Sequence, residues 1–381
     1  MNKKIIHMVT VSNSIGLMKG QLNYLKKQGY EVIVVSSPGE RLENIFNDEG
    51  VRGKSIPMSR TISPFNDLIS LLRIITFFIQ EKPDIVNAGT PKAGLLGMIA
   101  AWLIRTPFKV YTNRGLPFER SRGIKRKILK FTEKIACYCA DKVICISPSV
   151  EKVLLKNNLT DKDKTVVFGL GSSNGLELSK YEHTDEIEST VKKIKKKYKL
   201  EDKFVIGNVG RINNFKGIIE LVAAFENIQK NHKNIKLLLV GRMEEKDPID
   251  PSTKYKILNN PDIIYVGYQH NPVPFYFAMD IFVFPTYMEG FGNTSIEAQA
   301  TGIPVIATNA TGVVDTIVDG KTGLLVNVKD VKSLACAIEK MLNNPLMIKN
   351  MGRIGKERVF NNFSNLYIWE HINELYKTSF K

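Results

Sequence analysis

Phe284-Pro285-Thr286-Tyr287-Met288-Glu289-Gly290-Phe291-Gly292-Asn293-Thr294-Ser295-Ile296-Glu297-Ala298 places two glutamates eight residues apart across a strand-to-helix turn. The apolar run 281–284 reads as a strand stopped by Pro285. A helix follows, with Asn293 as its N-cap and Gly302, just before Pro304, as its end. Glu289 then lies at the carboxyl end of a strand, where open α/β sheets bind ligands. Glu297 lies early in the helix, and its Cβ tilts back toward the helix start. Free N–H groups at that start suit a phosphate. A phosphate site between two carboxylates suits a sugar nucleotide, whose hydroxyl pairs the carboxylates accept. The plainer reading makes both acids partners of the helix dipole.

The rest of the chain carries the same alternation of strand and helix. The runs 5–11, 31–36, 85–87, 109–112, 142–146 and 165–168 read as strands of one parallel sheet. A restart at 204–208 is followed by 235–240, 263–266, 281–284, 305–308 and 324–326. The expected fold class is α/β, two doubly wound units facing across a cleft. The expected domains are 1–180, a linker at 181–200 containing the lysine run 192–199 (a run that reads equally as a solvated helix face), a second domain at 201–360, and a terminal segment at 361–381.

Composition narrows the class. At 381 residues, 43% hydrophobic and 24% charged, the chain suits a soluble protein of two domains. Its net charge of +16 suits polyanionic partners: nucleic acid, anionic lipid or phosphorylated substrates. Cys137, Cys139, Cys145 and Cys336 form neither a disulfide framework nor a zinc pattern, so reduced thiols in the cytoplasm are expected. No leader peptide is evident at the N-terminus. The apolar stretches 68–79 and 93–104 are too short to span a bilayer and read as buried helices.

Further constellations carry chemistry. Gly207-Asn208-Val209-Gly210-Arg211-Ile212-Asn213-Asn214-Phe215-Lys216-Gly217 is a glycine-bearing turn with Arg and Lys five residues apart. Arg211 can grip phosphate oxygens bidentately and Lys216 supplies a point charge, although loop cations are commonly only solvated. Segments 87–94 and 111–119, with Thr90, Lys92 and Arg114, lie at strand carboxyl ends facing the expected cleft. From Arg120 to Lys134 a basic helix interleaves lysines and arginines with Ile124, Ile128, Leu129, Phe131 and Ile135. Such a helix lies on an anionic membrane or is half-buried with a basic outer face. The five histidines show no metal-ligand spacing, and no Asp-x-Asp pair offers a divalent-metal loop. The Gly-Lys-Ser/Thr pairs near 53 and 320 lack the upstream glycine of a P-loop.

Together these motifs resemble glycosyltransferase family 4, retaining enzymes of GT-B fold, over nearly the whole chain. The resemblance rests on Thr90–Gly94, Arg211 with Lys216, the Glu289/Glu297 pair, and the segments 302–308, 312–315 and 319–325. It is nearest to bacterial enzymes that build capsule, O-antigen or exopolysaccharide on a polyprenyl diphosphate carrier. The resemblance implies that Arg211 and Lys216 stabilise the leaving diphosphate, that Glu289 contacts the donor sugar, and that Glu297 holds the ribose. It further implies donor contacts from Gly16, Gly210, Gly290, Phe291, Gly292, Asn293 and Thr294, and acceptor contacts from Thr90, Lys92 and Arg114. The donor is expected to be a UDP-sugar, N-acetylated sugars included, and the acceptor a lipid-linked saccharide. No metal and no cofactor are expected. The C-terminal helix near 366–376 is expected to cross back onto the first domain. The enzyme is expected in the cytoplasm, peripheral on the inner face of the membrane through 120–134. Arg114 stands where many relatives carry histidine, and the usual glycine pair after the first strand is reduced to Gly16. Three rivals stay open: a GT-B-fold sugar-nucleotide epimerase, a basic nucleic-acid-binding protein and a non-catalytic sugar-nucleotide sensor. The second lacks the aromatics on a basic sheet that it would need.

Overall fold

The computed structural model describes residues 3–378. Strands whose neighbours cover both faces read as unbroken apolar runs, and these strands do. In β1 (Lys4–Met8) and β2 (Glu31–Ser36), Ile6, Met8, Ile33 and Val35 enter one core cluster while Ile5, Val32 and Val34 enter another. With β3 (Arg52–Ser55), β4 (Ile85–Gly89), β5 (Phe108–Asn113), β6 (Lys142–Cys145) and β7 (Thr165–Val166) they form a parallel sheet of order β3-β2-β1-β4-β5-β6-β7. The second sheet contains β8 (Phe204–Val209), β9 (Ile235–Val240), β10 (Ile263–Gly267), β11 (Ile281–Phe284), β12 (Val305–Thr308) and β13 (Gly323–Val326), in the order β10-β9-β8-β11-β12-β13. Strand order reverses between β1 and β4 in one sheet and between β8 and β11 in the other. Those are the points where open α/β sheets leave a crevice.

Chain contacts divide the molecule into two units: residues up to Gly175 together with those from Asn365 on, and Leu176–Ser364. The expected linker at 181–200 is corrected by this division. Asp185–Lys197 is a helix of the second unit, capped by Thr184, whose hydroxyl accepts from Ile187 N at 3.3 Å. Its lysines face water while Ile194 and Leu200 bury into the same cluster as Val205 and Phe275. The lysine run was therefore the solvated face of an amphipathic helix. The C-terminal helix Asn365–Thr378 belongs to the first unit, where Trp369 Nε1 donates to Asn174 Oδ1 at 2.8 Å. Residues 1–2 and 379–381 of the expected domains lie outside the described residues.

Other differences are local. β3 has no sequence signal because all four of its residues are exposed at the sheet edge. The helix after Glu289 spans Asn293–Ala300 with Gly292, not Asn293, at its N-cap. The Pro64–Glu81 helix, containing the stretch read as buried, buries Ser70, Ile74, Phe77 and Phe78 but leaves Leu68, Leu72 and Ile79 exposed.

The basic helix is observed at Gly123–Cys139 and carries one acid on its inner face. Glu133 is buried; burial pushes its carboxyl up to about 7, against hydrogen bonds from Tyr111 and Asn113. In the unfolded chain it ionises near 4.5, so the folded state loses stability as pH rises from there to about 7. Glu133→Gln removes that loss. The variant should match wild type at pH 4 and exceed it by up to about 3 kcal/mol at pH 8, measured by urea denaturation at both pH values.

Candidate active site

In the second unit the site grows from the carboxyl ends of β8 and β11. After β8, Asn213 accepts from Lys216 N at 2.9 Å, closing a short turn. Gly217 follows with φ +68°, and a Cβ there would meet Pro285 O at 2.1 Å. That close approach brings the Lys216 ammonium onto Glu289 Oε1, with its Nζ 5.6 Å from the centre of the Phe284 ring. Thr286 Oγ1 lies 3.3 Å from the same carboxylate oxygen. On the other side Glu289 N donates to Thr311 O at 2.9 Å and Gly292 N to Gly312 O at 3.0 Å. A Cβ on Gly312 would meet the carbonyl oxygens of Glu289 and Gly290 at 2.3 and 2.6 Å. Glycine is thus required on both sides of the turn that carries Glu289.

Glu297 is half-buried one turn into its helix and accepts from Tyr276 Oη at 2.8 Å. Burial raises its carboxyl above the ordinary range, and the Tyr276 hydrogen bond opposes that rise. Arg211 points into solvent and pairs with Glu244 at 2.6 Å. Gly210, Gly290, Phe291 and Gly292 lie on these strand-end loops, and Asn293 and Thr294 open the helix that follows. Asn293 Oδ1 is buried without a hydrogen-bond partner among the described residues. Lys216 and Glu289 are therefore in contact, Glu297 stands at the helix they precede, and Arg211 is tethered to an acid of its own. Tyr276 and Glu244 were missed in the sequence. Neither is in a motif, and each is brought to the site only by packing.

The first unit repeats the arrangement at its own switch point. Thr10 N donates to Thr90 Oγ1 at 3.0 Å, and Thr90 holds φ +69°. Arg114, half-buried after β5, donates to Ser173 Oγ and, at 3.4 Å, to Leu17 O. Its Nε is buried without a partner among the described residues. Burial lowers the guanidinium to about 10, so it stays charged at neutral pH. His7 beside it falls to about 3, through burial and then the Arg114 charge, so it stays neutral. Gly16 lines a cavity of 310 Å³ with Lys19, Arg41 and Glu49 among its walls. Lys92 does not join these groups as an unpaired cation: its ammonium pairs with Asp67 and ties two helices together.

Residues 19–171 match the family described as Glycosyltransferase Family 4, and residues 190–358 the one described as Glycosyl transferases group 1. A capsular polysaccharide biosynthesis glycosyltransferase of Staphylococcus aureus, CapM, is 44% identical over 382 residues, covering 100% of this chain and 98% of its own. The chain belongs to glycosyltransferase family 4. Another similar member, the UDP-Gal:alpha-D-GlcNAc-diphosphoundecaprenol alpha-1,3-galactosyltransferase of Escherichia coli, is 25% identical over 338 residues, covering 87% of this chain and 85% of its own. A glycosyltransferase structure from Rickettsia africae aligns with TM-score 0.80 at 24% identity, over 100% of this chain and 99% of that one. Anabaena HepE in complex with UDP aligns with TM-score 0.81 at 17% identity, over 98% and 100%. These likenesses show the fold: two Rossmann-like parallel-sheet domains, as in GT-B glycosyltransferases.

The Lys216–Glu289 pair is testable without substrate. Lys216→Met and Glu289→Gln should each destabilise the fold, and the double variant should be less destabilised than the sum. The expected coupling in a urea double-mutant cycle is about 0.5–3 kcal/mol. Strict additivity would mean that the two groups do not interact in solution.

Proposed function

We propose that this family 4 enzyme is a retaining glycosyltransferase that moves a sugar from a UDP-sugar to a polyprenyl-diphosphate-linked saccharide in bacterial surface polysaccharide synthesis. The observation that carries the reading is the contact of Lys216 with Glu289 at the β8/β11 switch point, beside the start of the Asn293–Ala300 helix. A diphosphate on the helix start draws Lys216 toward its oxygens and leaves Glu289 to accept from a sugar hydroxyl. Arg211, on an exposed side chain, exchanges Glu244 for the same diphosphate. As the glycosidic bond breaks, charge grows on the leaving diphosphate, and the two cations stabilise it most in the transition state. Glu297, steadied by Tyr276, accepts from the ribose hydroxyls. The acceptor hydroxyl attacks on the face the diphosphate leaves, and a diphosphate oxygen takes its proton.

The names of the relatives support the assignment: CapM is a capsule biosynthesis enzyme, and the E. coli relative takes a diphosphoundecaprenol-linked sugar. Arg114, a charged group whose Nε has no partner among the described residues, fits an anionic part of the substrate, the acceptor diphosphate foremost. No metal is needed in this scheme. Among the described residues no three His, Cys, Asp or Glu side chains cluster as a metal site.

The deciding assay measures UDP release from a panel of UDP-sugars, with and without a lipid-linked acceptor, in excess chelator. Acceptor-dependent release should persist there. Arg211→Ala and Lys216→Ala should lower kcat by about 10–100-fold, the loss of a hydrogen bond to a charged group, with smaller changes in donor affinity. A variant that weakens donor binding alone, with kcat unchanged, would refute the leaving-group role.

The membrane reading of the basic helix gains support from its apolar residues. Ile124, Ile128 and Phe131 face solvent alongside Lys125, Arg126 and Lys127 rather than packing inward. That exposure supports a peripheral position on the inner face of the cytoplasmic membrane, beside a lipid-linked acceptor. No helix among the described residues is long and apolar enough to cross a membrane. Replacing Lys125, Arg126, Lys127 and Lys130 by Gln should lower low-salt binding to phosphatidylglycerol vesicles by at least tenfold, since each such charge contributes about 1 kcal/mol. Co-sedimentation unchanged by the replacement would leave the helix a merely solvated surface.

A further inference from the structure

The Pro64–Glu81 helix is apolar on both faces. Its inner face packs Ile74, Phe77 and Phe78 against the first sheet. Its outer face carries Phe65, Leu68, Leu72 and Ile79, which are 75, 55, 56 and 56% exposed. Their spacing keeps the four side chains within roughly a 60° arc of the helix wheel. Single exposed apolar residues are ordinary, but a continuous outer stripe marks an interaction surface.

The stripe does not stand alone. The Pro91–Leu103 helix packs against both the Pro64–Glu81 and Gly123–Cys139 helices. All three precede or link the consecutive parallel strands β4, β5 and β6, so right-handed crossovers set them side by side, running the same way. Trp102 and Leu103, at the carboxyl end of the middle helix, are 50 and 51% exposed, and Tyr138, at the same end of the third, is 70% exposed. Exposed charge on these helices is of one sign: Arg73, Lys125, Arg126, Lys127 and Lys134. Their acids are withdrawn, Asp67 onto Lys92, Glu81 onto Lys4 and Arg52, and Glu133 into the core.

An apolar face on a helix layer whose own exposed charges are all cations is complementary to an anionic bilayer. It is not complementary to a second copy of itself, because a two-fold contact would set lysines against lysines. Tryptophan and tyrosine together at one end of the helix layer fit the depth where these side chains sit in a membrane interface.

We propose that the outer face of the Pro64–Glu81 helix, with Trp102 and Leu103 of its neighbour, inserts into the acyl boundary of an anionic membrane. The inference rests on the membrane reading of the basic helix and adds a second, apolar mode of attachment to it. Lysines and arginines act at range and are screened by salt. Buried apolar side chains are not, so part of the binding survives high salt.

The test uses the full chain and vesicles of phosphatidylglycerol and phosphatidylcholine, co-sedimented at 0.05 M and 1 M salt. The comparison variant is Phe65→Ser/Leu68→Gln/Leu72→Gln, whose sites are solvent-exposed, with folding checked by circular dichroism. Wild type should keep a measurable bound fraction at 1 M salt, and the variant should lose it by at least tenfold while keeping most low-salt binding. The chain has two tryptophans, and Trp369 is 9% exposed. A blue shift of emission on vesicle binding, quenched by brominated lipid and absent in Trp102→Phe, reports insertion directly. Equal binding of variant and wild type at both salts, with Trp102 emission unmoved, overturns insertion and leaves the electrostatic reading standing. No binding by wild type even at low salt overturns both. A dimer in gel filtration that the variant abolishes, with vesicle binding unchanged, assigns the stripe to a second copy and also overturns the proposal.

Discussion

The contact between Lys216 and Glu289 depends on two places where a backbone passes too close for any side chain. Gly217 lies against Pro285 O and Gly312 lies under the carbonyls of Glu289 and Gly290. Each closes a loop from a different strand, β8 and β12, onto the turn that leaves β11. Because the three strands are hydrogen-bonded neighbours in one parallel sheet, the loops cannot drift apart without breaking a ladder. The ion pair thus forms on a rigid edge, held by backbone rather than by side-chain packing alone. The sheet supplies position, the glycines supply closeness, and the charged side chains supply chemistry.

The first unit is held by a polar chain instead. Thr112 Oγ1 donates to Asn87 Oδ1 at 2.8 Å, Asn87 Nδ2 to Tyr376 Oη at 2.7 Å, and Tyr376 Oη lies 3.4 Å from His7 Nε2. It links β5, β4, the C-terminal helix and β1 through buried side chains. A buried polar network is worthwhile only when its members are satisfied. This one runs beside Arg114, whose Nε has no such partner among the described residues. The network is closed on itself, whereas the Arg114 guanidinium, bonded through Nη1 to Ser173 and Leu17, keeps one buried N–H in reserve.

Most strand positions were legible in the sequence to within a residue or two, the first running three residues too long at 5–11, because both faces of each sheet are covered and most central strands are short apolar runs. β3 escaped because an edge strand of Arg-Gly-Lys-Ser buries nothing. The lysine run at 192–199 left linker and helix face both open for a related reason: an amphipathic helix with a narrow buried stripe, here Val191, Ile194 and Tyr198, shows the same charges as a flexible connector. Likewise, the stretch 68–79 is apolar on both sides of the helix apart from Ser70, Arg73 and Thr76, and periodicity cannot say which of its faces a protein covers and which it leaves bare.

For the proposed site the sequence by itself supplied the residue types and their order: Arg211, Lys216, Glu289 and the glycines at strand ends, and Glu297 in the helix that follows. It did so because local motifs encode the turn, the helix start and the charge within a few residues. Only the tertiary structure decided how those charges are spent. Lys216 pairs with Glu289 across 73 residues of chain, Arg211 with Glu244, Lys92 with Asp67, and Tyr276 steadies Glu297. Such pairings depend on which strands become neighbours, and strand order in a parallel sheet is set by the whole core rather than by any local stretch. The exposed stripe of the Pro64–Glu81 helix belongs to the same class of fact, since exposure is a property of what the rest of the chain fails to cover.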